Sequence, residues 1–365
     1  MAEPIADGAA RRGPAGGTWA EAFRVERPGI DVRAGLAGGL ATAAPLAAGI
    51  ALGEPAIGVI TCFGGLNAAL AVPRGALRER LGWGAGSALA CCASVALATA
   101  VQDSVAASVV AGFAVVGLAA FLRTFGQSGG LAGFVVAAIF VITNGIPAAP
   151  LGTGERVLWF ALGSLAGVLA MVAAFARPAR SPGPATTPLG TVLARGARQL
   201  RDAIAGDALL RAHALRLATI VSATMLFGRL LELEHGYWVP LTVLAVLQPD
   251  EHASSVRAVQ RAAGTLVGTA LIAAVTLATG AEWLFVAAQG VAAFWLFAVL
   301  ARGYFWLVVM LTPTALLTIN AVDDQGVADA LQRAGWSAAG ILLGLAVGEL
   351  CWRLAPHVPQ DAAAP

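Results

Sequence analysis

The sequence predicts an all-α membrane protein with about twelve transmembrane helices, in two parallel six-helix repeats with both termini in the cytosol. Hydrophobic residues make up 58% of the chain and charged residues only 12%. A soluble chain carries about 25% charged residues, so this one has too few to cover a water-exposed surface. A helix needs about 20 apolar residues to cross a bilayer, and stretches near that length recur. They lie near 34–52, 56–72, 82–101, 105–122, 131–148, 157–175, 213–230, 237–248, 262–279, 283–301, 303–320 and 334–352.

The arginines predict the orientation of these spans. All 23 basic residues are Arg, and cytosolic loops collect Lys and Arg. With the N-terminus inside, only Arg156, Arg229 and Arg333 fall in outer segments. This bias supports counting the short stretch 237–248 as a crossing, because omitting it would invert every later loop. We therefore expect a multi-pass protein of the inner (plasma) membrane, and the composition suggests a bacterial source.

The chain divides into two membrane parts, with a Pro-rich linker "RPARSPGPATTPLG" between them. In this linker region Arg195, Arg198 and Arg201 recur at helical spacing, which predicts a basic helix on the cytosolic leaflet or a plain solvated helix. The predicted parts are a tail at 1–29, the first repeat at 30–176, the linker at 177–211, the second repeat at 212–354 and a tail at 355–365.

The two membrane parts resemble each other. "ERVLWFALGSLAGVLA" (155–170) aligns with "QRAGWSAAGILLGLA" (332–346), and "RLGWGAGSAL" (80–89) aligns with "RAAGTLVGTAL" (261–271). Six spans is an even number, so both repeats keep the same orientation, as in some transporters. The aligned segments contain G-x-x-x-G pairs, which we expect to pack helices closely in lipid. The pairs are 82/86, 264/268, 163/167 and 340/344.

One stretch, "EHGYWVPLTVLAVLQPDEH" (234–252), contains only a short apolar part. A helix from Tyr237 to Gln248 would rise about 18 Å, less than a bilayer core of about 30 Å. Broken helices at membrane depth are tolerated only against protein or a water-filled cavity, and they often mark transporter binding sites. We therefore expect Tyr237 to Asp250 to flank a transport pathway.

The same stretch carries a family resemblance. It contains a Tyr-Trp pair and an apolar half-helix that ends in Gln-Pro, and an Arg followed by Gly-Thr-x-x-Gly comes after it. This order resembles the marker of the fusaric-acid-resistance or aromatic-acid-exporter family of membrane transporters. Here the marker residues are Tyr237-Trp238, Gln248-Pro249, Arg261, Gly264, Thr265 and Gly268. In the first half the marker is degraded, with Glu54-Pro55, Asn67 and Trp83 at the corresponding places. The resemblance implies export of small organic anions, aromatic carboxylates among them.

Several polar and aromatic residues are candidates for cargo binding. Tyr237 and Trp238 could stack on an aromatic cargo, or anchor a helix at the membrane interface. Gln248 could hydrogen-bond a carboxylate, or cap a helix end. Asn144 and Asn320 are weaker candidates, as polar residues near the outer ends of the fifth spans.

The arginines are candidates for anion binding, because a guanidinium forms a planar fork that matches a carboxylate. Arg156 and Arg333 are repeat partners on the outer side, where neutralisation by Glu155 and Asp329 is the alternative role. The others lie at inner span ends, where anchoring by the positive-inside rule is the alternative. They are Arg33, Arg80, Arg216 and Arg261.

An enzyme is not expected. "GQSGG" (126–130) fits the nucleophile-elbow pattern, but it follows Arg123 in a short loop between spans rather than a strand. The sequence predicts no catalytic residue, no cofactor, no metal site and no nucleic-acid partner. The expected partners are a small organic anion, the lipid bilayer and, as an open possibility, a second copy in a homo-oligomer. Two other functions stay open, a passive anion channel and a membrane scaffold that transports nothing.

Overall fold

The computed structural model describes residues 20–25, 29–146, 151–176, 189–278, 282–321 and 327–354. These residues form α-helices and no strand. Short 3-10 turns at Leu122–Phe125 and Leu300–Arg302 precede the fifth and twelfth helices. The helices are α1 Val32–Ala51, α2 Pro55–Ala71, α3 Leu77–Val101, α4 Val105–Phe121, α5 Gly126–Gly145, α6 Thr153–Ala174, α7 Leu189–Gly206, α8 Ala208–Leu230, α9 Trp238–Val246, α10 Glu251–Ala278, α11 Glu282–Ala298, α12 Tyr304–Ile319 and α13 Val327–Leu354.

The all-helical, multi-spanning character predicted from hydropathy is confirmed. Each predicted span falls on one helix, and the basic helix of the linker is α7. Much of the predicted tails and linker, at 1–19, 26–28, 177–188 and 355–365, lies outside the described residues. Among the described residues, six helical segments are long and apolar enough to cross a membrane, and α2, α11 and α12 are shorter apolar helices. The six are Val32–Ala51, Leu77–Val101, Val105–Gly145, Thr153–Ala174, Ala208–Leu230 and Glu251–Leu277.

Four helices form the centre of the molecule. Most residues of α2, α5, α9 and α12 are buried. The surrounding helices expose large apolar side chains, among them Leu89, Leu118, Leu215 and Leu342. So much exposed apolar surface is unusual for a soluble protein and marks a face for lipid or protein contact. The buried and exposed faces therefore match a helical bundle whose outer ring contacts the membrane.

The same helix pairs meet in two sets of helices, α1–α6 and α8–α13. α2 packs on α6 as α9 packs on α13, and α3 packs on α5 and α6 as α10 packs on α12 and α13. α4 likewise meets α5 as α11 meets α12. The two sets are joined crosswise, because α1 packs on α11 while α4 packs on α8.

The short helix α9 is enclosed by protein. Its nine residues rise about 13 Å, less than half of a hydrocarbon core of about 30 Å. It ends because Leu247 turns extended (φ −70°, ψ 117°) two residues before Pro249. In the same way, α2 ends because Val72 turns extended (φ −79°, ψ 113°) just before Pro73. Since α9 is buried along its length, its free backbone ends need not face lipid.

Three of the four glycine pairs contribute to helix packing as predicted. A Cβ on Gly163 would overlap the carbonyl oxygen of Thr61, so α6 and α2 approach backbone to backbone. A Cβ on Gly268 would lie 2.6 Å from the Cβ of Thr312 on α12. A Cβ on Gly340 would lie 2.7 Å from the Cβ of Thr242 on α9.

The prediction is wrong for Gly82 and Gly86. A Cβ at either position would have no atom within 4 Å, and both residues are exposed. The buried face of α3 instead includes Gly84, whose added Cβ would lie 3.0 Å from Val168 and 3.1 Å from Val72. Gly84 is two residues from each of them, about 200° around the helix, so α3 turns the opposite face to the core.

Candidate functional site: an arginine-lined cavity

A cavity of about 810 Å³ lies at one end of the bundle. At this end α2, α4, α9 and α11 have their C-termini, and α3, α5, α8, α10 and α12 have their N-termini. Its walls come from both sets of helices, including Val116 and Ala137 from the first and Leu244 and Leu307 from the second. Glu79 and Gln127 at its rim are exposed, so it opens to the surface. We call it the arginine cavity.

Three arginines line this cavity, and Glu79 is the one acidic side chain among its described lining residues. An Nη of Arg123 donates a 2.9 Å hydrogen bond to Oε1 of Gln248. The guanidinium of Arg257 stacks 4.1 Å above the ring of Tyr304. Arg74 pairs with Asp31 at 3.2 Å and lies over Phe175. Glu79 itself caps the start of α3 by accepting from the backbone N–H of Ala76. The excess of positive charge suits an anionic ligand.

Two helix N-termini also reach the cavity wall. Gly126 (φ 76°) precedes the body of α5 and Gly303 (φ 121°) precedes α12; both follow a 3-10 turn, and this left-handed backbone favours glycine. Neither helix start has a side-chain cap. First-turn N–H groups lack partners within their helix, and the helix dipole favours negative charge there. Two uncapped N-termini beside arginines are therefore a suitable place for a carboxylate.

His213 on α8 forms part of the same wall. Its side chain is 1% exposed, and neither ring nitrogen has a hydrogen-bond partner among the described residues. Buried polar groups nearly always have a partner, so two free nitrogens beside a cavity need an explanation.

Of the residues predicted to bind cargo, Gln248 lines the cavity and Arg216 supports it from behind. An Nη of Arg216 donates to the carbonyl oxygens of Gln248 and Pro249, at 3.0 and 3.1 Å. The backbone N–H of Gln248 donates to Oγ of Ser254 at 2.8 Å. These contacts give hydrogen-bond partners to the backbone groups at the C-terminal end of α9. They hold Gln248 where its side-chain amide meets Arg123.

The predicted aromatic residues lie at the opposite end of the bundle. The rings of Tyr237 and Trp238 are 5.0 Å apart, and Arg333 stacks 3.7 Å above Trp238. An Nη of Arg333 also donates to the carbonyl oxygen of Thr312 at 3.3 Å. Tyr237 packs against Gly145 of α5 so closely that a Cβ there would overlap its side chain. This aromatic contact joins the second set of helices to the first.

The other predicted arginines do not line the cavity. Arg80 is buried and donates to the carbonyl oxygen of Val172 at 2.7 Å, which closes the end of α6. Arg156 and Arg261 are buried within the bundle, and Arg33 is exposed.

Asn144 holds together the ends of several helices. Its Nδ2 donates to Oγ of Ser108 and to the carbonyl oxygen of Ala98, at 3.0 and 3.2 Å. Its Oδ1 accepts from Arg229 at 3.0 Å, and Arg229 also donates to the carbonyl oxygen of Gln102. The predicted repeat partner, Asn320, is the half-buried C-cap residue of α12.

Sequence reasoning missed Arg123, Arg257 and His213 as site residues. The orientation argument placed Arg123 and Arg257 only on the inner side of the membrane, and His213 was given no role. One signal was available for Arg123. In each set an arginine stands shortly before a glycine at the start of the fifth helix, Arg123 before Gly126 and Arg302 before Gly303.

Comparison with known proteins finds a similarity over most of the second set of helices. Residues 222–347 match the model of a family described as fusaric acid resistance protein-like. This part of the chain is similar to that family. The resemblance noted in the sequence is thus confirmed over these residues, and with the apolar helices it indicates a multi-pass, transport-related membrane protein.

One curated relative is an uncharacterized protein, ORF2, from Neisseria gonorrhoeae. It is 45% identical over 56 residues, which are 15% of this chain and 13% of that protein. The chain thus matches only a small part of the length of that relative. No solved structure matches the chain significantly.

Proposed function

We propose that the chain exports small organic anions, aromatic carboxylates among them, along a path between two six-helix repeats. The observation that carries this proposal is the arginine cavity, with three arginines and two uncapped helix N-termini on its wall. A carboxylate bound there would meet the fork of Arg123 and the first-turn N–H groups of α5. The rings of Tyr304 and Phe134 offer apolar contact for an aromatic body.

The recurring helix contacts support the repeat layout. The contact of α4 with α8 is equivalent to that of α1 with α11, because in each case the first helix of one set packs on the fourth helix of the other. Equivalent 3-10 turns before α5 and α12 add a second match. A pseudo-two-fold axis along the membrane normal would pass between α2, α5, α9 and α12, where a pathway is expected.

The cavity also fits an inward-facing arrangement. Its end of the bundle holds Arg74, Arg123 and Arg257, so the positive-inside rule assigns that end to the cytosol. At the other end the stack of Tyr237, Trp238 and Arg333 occupies the space between the two sets. Alternating access would then require opening of the contact between Tyr237 and Gly145 after cargo loads from the cytosol.

Efflux of labelled benzoate from proteoliposomes tests the function. Purified protein should release benzoate faster than protein-free liposomes, and an excess of unlabelled benzoate on the outside should accelerate exchange as a carrier requires. A current driven by voltage alone, with no exchange, would instead support a passive channel. No release of any tested aromatic carboxylate would contradict transport and leave the scaffold function.

A further inference from the structure

His213 is buried, and the described residues packed around it give no partner to its ring nitrogens. It lies on the cavity wall with both ring nitrogens unpartnered among the described residues. Imidazole is the side chain that gains or loses a proton between about pH 5 and 8 when unperturbed. Burial and the nearby guanidiniums disfavour a charged ring here, so His213 can hold a proton only when a negative charge beside it offsets that cost.

The charges that face His213 are mostly positive. Arg216 on its own helix and Arg123 on the 3-10 turn act on it directly. α4 and α9, which pack against α8, bring no ionisable side chain within Val105–Phe121 or Trp238–Val246. Among the described side chains, the other charged groups on the cavity wall are Arg74, Glu79 and Arg257, and Asp250 lies near Arg123. Those on α8 itself, with its N-cap, and on its other neighbours are Asp207, Arg211 and Arg229, the exposed Arg195, Arg198, Arg201 and Asp202 of α7, and Arg333 and Glu349 of α13.

An anion in this place and a proton on His213 stabilise each other. A carboxylate beside Arg123 adds negative charge where a protonated imidazole would otherwise repel two guanidiniums. A protonated ring can in turn donate a hydrogen bond to the carboxylate, and such charge-assisted bonds are the stronger kind. Because coupling between two binding events is reciprocal, each event favours the other by the same factor.

We propose that His213 takes up one proton when an organic anion binds in the arginine cavity, so that cargo and proton occupy the site together. The proton moves from the aqueous phase to a ring nitrogen, and no other bond changes. This inference rests on the proposed function and names its coupling. A monocarboxylate that leaves with this proton carries no net charge across the membrane.

Calorimetric titration of the purified protein with benzoate tests the coupling. Titrations in two buffers with different ionisation enthalpies give the number of protons bound per benzoate. The wild type should bind up to one proton, and its benzoate affinity should rise as pH falls, by at most about tenfold per pH unit. His213→Gln should bind benzoate with no proton uptake and with an affinity independent of pH. His252→Gln is the matched control, since its exposed ring pairs with Glu21 outside the cavity, and it should behave like the wild type.

Each other outcome counts against the proposal. Wild-type binding with no proton uptake overturns the coupling but leaves anion transport intact. Proton uptake that persists in His213→Gln also overturns it, because another group must then accept the proton. Absence of benzoate binding by the wild type at every pH overturns the proposed function, and the coupling with it. If His213→Gln fails to fold, His213→Asn takes its place, and the same proton count and pH profile decide.

Discussion

Gly163→Val should abolish the folded protein, with a loss of more than roughly 3 kcal/mol in the free energy of unfolding. The added side chain would overlap the carbonyl oxygen of Thr61, and α2 and α6 cannot separate without opening the core. Backbone overlap is less forgiving than an overfilled side-chain pocket, because no rotamer change relieves it. The readout is the melting temperature of detergent-purified protein, followed by size-exclusion chromatography with fluorescence detection.

Gly86→Val is the matched control. It introduces the same residue into a G-x-x-x-G pair, also within a helix, so both variants change intrinsic helix propensity by a similar amount. A Cβ on Gly86 would have no neighbour within 4 Å, and the variant should melt near the wild-type temperature. Equal melting temperatures for the two variants would contradict the close approach of α2 and α6.

Arg123→Gln should lower benzoate efflux at least about tenfold, which corresponds to about 1.4 kcal/mol. Arg123 belongs to the first set of helices, and its guanidinium forms a hydrogen bond with the side-chain amide of Gln248 in the second set. Glutamine keeps a polar end at the position but supplies neither the charge nor the bidentate fork. Initial efflux rates from proteoliposomes with equal amounts of folded protein give the comparison.

Arg302→Gln is its control, because Arg302 stands in the corresponding 3-10 turn. Its guanidinium lies 5.9 Å from the ring of Trp306, and the residue is not part of the described cavity wall. Its efflux should stay within about twofold of the wild type, because a charge that does not line the cavity acts on the anion only from a distance. A loss as large as that of Arg123→Gln would mean that general positive charge, rather than the cavity arginine, matters.

Hydropathy was enough to locate the membrane helices, because their apolar length is set by the bilayer rather than by neighbouring contacts. The short helix α9 was also predicted, from Tyr237-Trp238 at one end and Pro249 at the other. Motif spacing could not tell which face of α3 is buried. Gly84, about 200° around the helix from Gly82 and Gly86, faces the core, and those two glycines are exposed.

The site was only partly predictable. Gln248 was selected because it ends a broken helix, and it does line the cavity. Arg123, Arg257 and His213 lie far apart in the chain, and only the crosswise packing of the two sets brings them to one wall. Tyr237 and Trp238 were expected beside the pathway, and in the structure they stack with Arg333 at the end opposite the cavity.

The most direct measurement of the central claim is protection of a cavity cysteine by cargo. Ser128→Cys, in a chain whose native Cys62, Cys91, Cys92 and Cys351 are replaced by Ala, places a single thiol on the cavity wall. Its rate of modification by an anionic methanethiosulfonate should fall as benzoate is added, while Ala194→Cys on the exposed surface of α7 should react at a constant rate. An unchanged rate at Ser128→Cys, at benzoate concentrations that saturate efflux, would contradict the account, because the anion would then bind elsewhere.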